Sequence, residues 1–181
     1  MFLDNSDQAG ALAYHDLTNE GLPLSKVFVK TIQADNASVS VGATHEICEM
    51  AVDPWLNSAY QDPRGVFWAG EVCDPVESDQ YCYKIGTVLV TDFVTPNWFA
   101  HLHSQGSLDL KGHVLTPFEV LTGGYAQKWD PDRDWVQTTG SLAMQSKRAQ
   151  TAAVGSRRER RQRQWKAWQR SFARWGDGSR S

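Results

Sequence analysis

His45-Glu46-Ile47-Cys48-Glu49 combines two residue types that hold divalent cations with one that can move a proton. In a helix, positions i and i+4 share one face. His45 and Glu49 would then grip one ion, while Glu46, turned to the side, would act as general base on water. The frame is that of H-E-x-x-H, which binds zinc through two imidazoles. The second imidazole is here a carboxylate, which still binds zinc but makes the site more anionic and less soft. Asp53, at i+8 from His45, lies on roughly the same face.

A single helix seldom supplies every ligand, so a third group is expected from elsewhere. Gly70-Glu71-Val72-Cys73-Asp74 is the best source, with Glu71 placed 22 residues beyond Glu49 and followed by Asp74. His101 and His103 form an H-x-H pair whose rings would share one face of a strand. His15 and His113 stand alone in the sequence, and nothing there joins them to the motif; structural or surface roles are expected for them. The motif also has a plainer reading, with Glu46 and Glu49 as solvent-facing helix carboxylates, His45 as a partly buried cap and Asp53-Pro54 as an ordinary helix stop. The acidic cluster that follows and the strand that precedes weigh towards a metal.

The elements that must position these groups can be read from pattern. Ala11 to Asp16 opens the first ordered element, after an irregular arm over 1–10. Lys26 to Ile32 is rich in β-branched and aromatic residues and predicts a strand. Ser40 to Val52 predicts a helix with Ser40 or Thr44 as N-cap, ending at Asp53 because the residue before proline avoids the helical region. Val66 to Asp74 reads as extended, and 80–85 with 87–93 as a hairpin about Gly86. Gly-punctuated loops with one or two strands follow to Lys128, then a polar linker over 129–155.

The formal charge of −3 conceals a polarity along the chain. From Gly155 to Ser181 nine Lys and Arg stand against two acids, a local +7 that leaves −10 on the rest. Within 156–176, Trp165, Trp168, Phe172 and Trp175 recur at helical spacing, with residues such as Arg161 and Arg170 around them. This predicts an amphipathic basic helix followed by a short tail over 177–181. Aromatic and Arg side chains are the usual anchors of protein interfaces, so a protein partner is expected, copies of the same chain included. Nucleic acid is a less favoured partner, since the rings form one stripe and not a groove. The alternative is that the aromatic face folds back on the protein's own core. No segment is long and apolar enough to span a membrane, and the N-terminus has no signal-peptide pattern. Cys48, Cys73 and Cys82 match no zinc knuckle or redox pair and are expected as free thiols, with Cys48 buried.

Taken together, Ala11 to Thr18, Gly21-Leu22-Pro23, Lys26 to Val29, Thr44-His45-Glu46 through Asp53-Pro54, Gly70 to Asp74 and Val90 to Pro96 resemble a family of uncharacterised zincin-like proteins of phages and prophages. Its shared words are roughly S-H-E-x-x-E-x-x-x-D-P and G-E-x-x-D, and the resemblance covers about 11–125. Thr44 stands where the family often has Ser. The downstream acids also resemble, in part, the thermolysin-like gluzincins, in which a third ligand Glu precedes an acid that orients a ligating His. Here the spacing is E-x-x-D and the second His is missing.

The resemblance implies an α+β fold: a zincin-like domain over 11–128 with a mixed sheet beside an active-site-type helix, and Lys26 to Ile32 as the strand holding extended substrate. It implies a zinc site with His45 and Glu49 as ligands, Glu71 or Asp53 completing the shell, Asp74 behind it and Glu46 as catalytic base. The function expected is a zinc-dependent hydrolase of the peptidase type, acting on a peptide substrate and associated with a virion. The competing expectation is a virion structural or assembly protein that keeps the fold and docks through Trp165, Trp168, Phe172 and Trp175. Either would be made in the host cytoplasm.

Overall fold

The computed structural model of the chain describes residues 1–8, 10–100, 106–130 and 134–140. The predicted basic helix over 156–176 and the His101/His103 pair lie outside them. Strand β1 (Phe2–Leu3) pairs in parallel with β3 (Pro23–Phe28), and β2 (Ala13–Leu17) pairs antiparallel on its other side, with His15 opposite Ser25. The sheet order is β1-β3-β2. The first ten residues, expected to be irregular, thus contain a short strand.

The strand expected over 26–32 stops at Phe28, and helix α1 (Val29–Ala34) takes over. Phe28 and Ile32, one helical turn apart, are both fully buried. That burial outweighs the β-preference of Val29, Thr31 and Ile32, which is worth only tenths of a kcal/mol to about one per residue. β3 is flanked on both sides, so it is not the edge that extended substrate would need; β2 holds that position in the sheet.

Helix α2 (Val39–Val52) matches the prediction to within a residue and ends at Asp53, where the backbone turns extended ahead of Pro54. Ser38 occupies its N-cap position. Ser40 instead donates its hydroxyl to the carbonyl of Leu89 at 2.6 Å, and the Thr44 hydroxyl reaches back to the Ser40 carbonyl at 2.8 Å. The inward face of α2 carries Val41, His45, Glu46 and Glu49. Gly42 lets this face approach closely: a Cβ there would meet Ile32 Cδ1 at 3.1 Å and the Ala13 side chain at 3.8 Å. Ala13 lies on β2, two residues before His15, so the close approach sets how near His15 comes to the helix.

Beyond α2, β4 (Ala59–Gln61) and β5 (Phe67–Ala69) form an antiparallel pair. A 3-10 turn (Asp74–Val76) and a second one (Asp79–Tyr81) follow, then the hairpin of β6 (Tyr83–Ile85) and β7 (Val88–Val90), turning at Gly86 with φ +61° as the two-residue loop requires. Of the stretch expected to be a linker over 129–155, residues 129–130 and 134–139 belong instead to strands, and 131–133 and 141–155 lie outside the described residues. β8 (Tyr125–Asp130) and β9 (Asp134–Thr139) pair in full register, Trp129 opposite Trp135, and extend the second sheet in the order β4-β5-β8-β9. Asp130-Pro131-Asp132-Arg133-Asp134 reads as a linker by composition, but it joins two strands whose tryptophans and valine carry the pairing.

The main core lies between this sheet and the following loops: Trp68, Val72, Cys73, Val76, Val94, Trp98, Phe99, Leu108, Val114 and Ala126. Trp68 and Trp98 meet edge to face at 5.9 Å. The described chain is therefore mixed α+β, with three sheets and few helices. No helix among the described residues is long and apolar enough to cross a membrane.

Candidate metal centre

The alternation of β2 points His15 towards α2, one position after the buried Tyr14 on the opposite face. Its Nδ1 lies 3.2 Å from Glu46 Oε2 and 3.6 Å from Glu49 Oε2, and its Nε2 lies 3.7 Å from Glu71 Oε2. The histidine that looked isolated in sequence is thus wedged among three carboxylates. Register explains why the sequence concealed it: a strand 30 residues before the motif presents one side chain per two residues, with no spacing relation to the helix it faces.

On the other side, His45 Nε2 lies 3.1 Å from Glu49 Oε1 and 3.2 Å from Asp74 Oδ1. Glu49 is shared, one oxygen facing each imidazole, and its Oε1 also accepts the Cys73 backbone N–H at 3.3 Å. The loop from β5 to the 3-10 turn supplies Glu71 and Asp74 together, as the G-E-x-x-D word predicted, though the segment is irregular and not helical. Glu46 is not turned to the side in solvent: it is buried beside His15.

Three triads of ligand atoms among the described residues fall within 4.8 Å of one another: His15-Glu49-Glu71 and His45-Glu49-Cys73 in this cluster, and Asp92-Asp109-His113 apart from it. Of the six ionisable groups His15, His45, Glu46, Glu49, Glu71 and Asp74, none is more than 5% exposed. The reading of Glu46 and Glu49 as solvent-facing carboxylates is thereby corrected. Burial would depress the His45 imidazole, but Glu49, Asp74 and Glu46 outweigh it and hold the group well above its ordinary value.

Asp53 is placed elsewhere. Its Oδ1 accepts the backbone N–H groups of Asn57 at 2.9 Å and Ser58 at 3.0 Å, which ties the chain after α2 into its turn. It belongs to neither triad. Cys48 is half-buried, not buried, and its thiol contacts that of Cys73; this contact, against the effect of burial, brings Cys48 down to about 7. Cys73 is pushed well up, by burial first and then by Cys48 and Glu49.

His113 also has company that its sequence position hid. Its Nδ1 lies 3.3 Å from both Asp92 Oδ2 and Asp109 Oδ2, and both carboxylates are fully buried. Asp109 accepts the backbone N–H of His113 at 2.8 Å and of Val114 at 3.0 Å, so it closes the 109–114 loop. Burial and the contact with Asp109 raise Asp92 to about 6, while Asp109, despite burial, is lowered by its backbone donors.

The donor set of the main cluster suits a divalent cation. Imidazole and carboxylate are the ligands of zinc, iron and manganese, and here they converge from three elements in a dry interior. The cluster is also anionic, with four carboxylates to two imidazoles, of which His45 favours its protonated form, and the described lysines and arginine lie elsewhere. Lys26 pairs with Asp7, Lys30 with Asp4 and Arg64 with Asp62; Lys111 covers Tyr83, Lys128 covers Trp68, and Lys84 is exposed on β6. Buried charge of one sign needs compensation, and a bound cation provides it. No family model, no curated protein and no solved structure matches the chain.

Proposed function

We propose that this chain is a metalloprotein with a zincin-like centre and that its chemistry is metal-dependent hydrolysis of a peptide-type bond. The observation that carries the reading is the delivery of His15 by β2 to Glu49 and Glu71, which completes a set that His45 and Glu49 only begin. His15, Glu49 and Glu71 would hold the ion, with His45 on the other oxygen of Glu49. A bound divalent cation supplies the Lewis acidity that polarises a carbonyl and eases loss of a proton from water. Glu46 is the base, its carboxylate oriented by the His15 ring at 3.2 Å. Asp74 faces the same His45 nitrogen as Glu49 does, at 3.2 Å, and would fix that imidazole from the ligand side. β2, at the edge of its sheet, takes the substrate-aligning role first expected of Lys26 to Ile32.

A second reading has an observation of its own. Catalytic metal sites keep a position open, whereas structural ones are closed, and here every ionisable group of the cluster is buried. A closed centre fits a scaffold that ties β2, α2 and the 71–74 loop together in a virion component, with the Trp/Arg segment over 156–176 docking into a neighbour. Glu46→Gln separates the two. The hydrolase reading expects metal content to stay at the level of the unaltered protein while cleavage of a mixed peptide library falls at least about 100-fold. A metal-loaded, folded protein that cleaves nothing, with or without the substitution, leaves the scaffold. Absence of bound zinc, iron or manganese in protein purified without chelator or histidine tag removes both metal readings.

A further inference from the structure

We infer that the buried cluster is a dinuclear centre, holding two divalent cations of the manganese or iron class bridged by Glu49; the inference rests on the reading of the cluster as a metal site and specifies its nuclearity.

The geometry divides the cluster into two halves about one carboxylate. Glu49 Oε2 faces His15 Nδ1 at 3.6 Å, and Glu49 Oε1 faces His45 Nε2 at 3.1 Å. Each imidazole has carboxylates of its own: Glu46 and Glu71 flank His15, and Asp74 lies against His45. The two triads of this cluster whose atoms fall within 4.8 Å share Glu49 and no other residue. A carboxylate with one oxygen committed to each of two imidazole-carboxylate groups is placed as a bridging ligand is placed.

Formal charge points the same way. Glu46, Glu49, Glu71 and Asp74 contribute four negative charges, and an imidazole that binds a cation does so as the neutral ring. Two divalent cations neutralise the cluster. One cation, even with the other imidazole protonated, leaves the buried cluster with a net negative charge. The described lysines and arginine are engaged elsewhere, as given above.

The donor composition selects the class of metal. Two imidazoles and the carboxylates of Glu49, Glu71 and Asp74, with Glu46 beside them as the base, approach the set of two imidazoles and four carboxylates used by di-iron and di-manganese carboxylate centres, there assembled on a bundle of helices. Oxygen-rich sites suit manganese and ferrous iron with five or six ligands, whereas closed zinc sites favour four ligands rich in sulfur and nitrogen. The Cys73 thiol stands near the His45 half as the one soft donor.

The test uses the full chain, stripped of metal and reloaded with Mn²⁺ without oxygen. Metal per chain is then measured after gel filtration, together with the low-temperature electron paramagnetic resonance spectrum. The expected result is about two manganese per chain with the broad signal of an exchange-coupled pair in place of the isolated six-line pattern. Glu71→Gln, on the His15 side, and Asp74→Asn, on the His45 side, should each reduce the content to about one and restore the six-line pattern. One manganese per unaltered chain with the six-line pattern overturns the dinuclear assignment and leaves a mononuclear metal site standing. Failure to bind Mn²⁺, Fe²⁺ or Zn²⁺ at all overturns the metal reading with it. Measurement on the unaltered chain is decisive even where a substitution prevents folding.

Discussion

Glu49 occupies the position where a second imidazole would complete H-E-x-x-H, and the replacement has a physical consequence beyond the loss of a nitrogen. A carboxylate has two donor atoms pointing apart, and both are used, one towards each histidine. The residue that makes the motif look degenerate is therefore the one that joins its two halves. At the same scale, the Asp92-Asp109 pair makes a prediction about pH. Burial and Asp109 raise Asp92 to about 6 from an ordinary 3.8, so the folded protein takes up a proton there that the unfolded chain does not. The stability contributed by the protonated form is complete below about pH 3.8 and is lost as pH rises through about 6. Asp109, being lowered, works in the opposite sense and at lower pH. Asp92→Asn keeps a hydrogen-bonding group of the same shape without the ionisation. It should flatten the fall in melting temperature between pH 5 and about 7 that the unaltered protein shows; an unchanged slope would place the titration elsewhere.

The elements differ in how their boundaries are enforced. α2 is ended by local chemistry at Asp53-Pro54, whereas Ser38 at its N-cap makes no side-chain capping bond. α1 exists because Phe28 and Ile32 have a core to enter, and β8 and β9 exist because each pairs with the other and β8 with β5. Gly124, at the start of β8, shows how tightly that sheet is seated on the 3-10 turn after Asp74: a Cβ there would overlap the Pro75 carbonyl and come within 2.8 Å of the Asp74 carbonyl. Both obstacles are backbone, which cannot rotate away. Gly124→Ala should cost about 1–3 kcal/mol in denaturant unfolding. Because Asp74 sits in that turn, the substitution should also weaken metal loading, measurable by titration with a chelating indicator. A neutral result would mean that the turn is free to shift.

For the whole molecule, charge divides an acidic N-terminal portion from a basic C-terminal segment. The acidic portion contains both sheets, the hairpin and the buried histidine-carboxylate cluster within its first 140 residues, while the +7 of the last 27 residues lies on the segment that carries Trp165, Trp168, Phe172 and Trp175. Removing 155–181 should leave the melting transition and the metal content unchanged and abolish association with particles. A large drop in melting temperature would instead mean that Trp165, Trp168, Phe172 and Trp175 cover the protein's own core. The two outcomes cannot be confused, since one changes folding and the other only partnership.

Helix α2, the Gly86 hairpin, the α+β class and the partnership of His45 and Glu49 with Glu71 and Asp74 were readable from the chain, because each rests on neighbours in sequence or on turn chemistry that acts over a few residues. The end of β3, the β8-β9 hairpin, the backbone task of Asp53 and above all the arrival of His15 at Glu49 were not. These depend on which face of one element meets another, and strand register and the close approach at Gly42 establish that only once the sheet and helix have packed. Local spacing specified half of the buried histidine-carboxylate cluster; the packing of β2 against α2 supplied the other half.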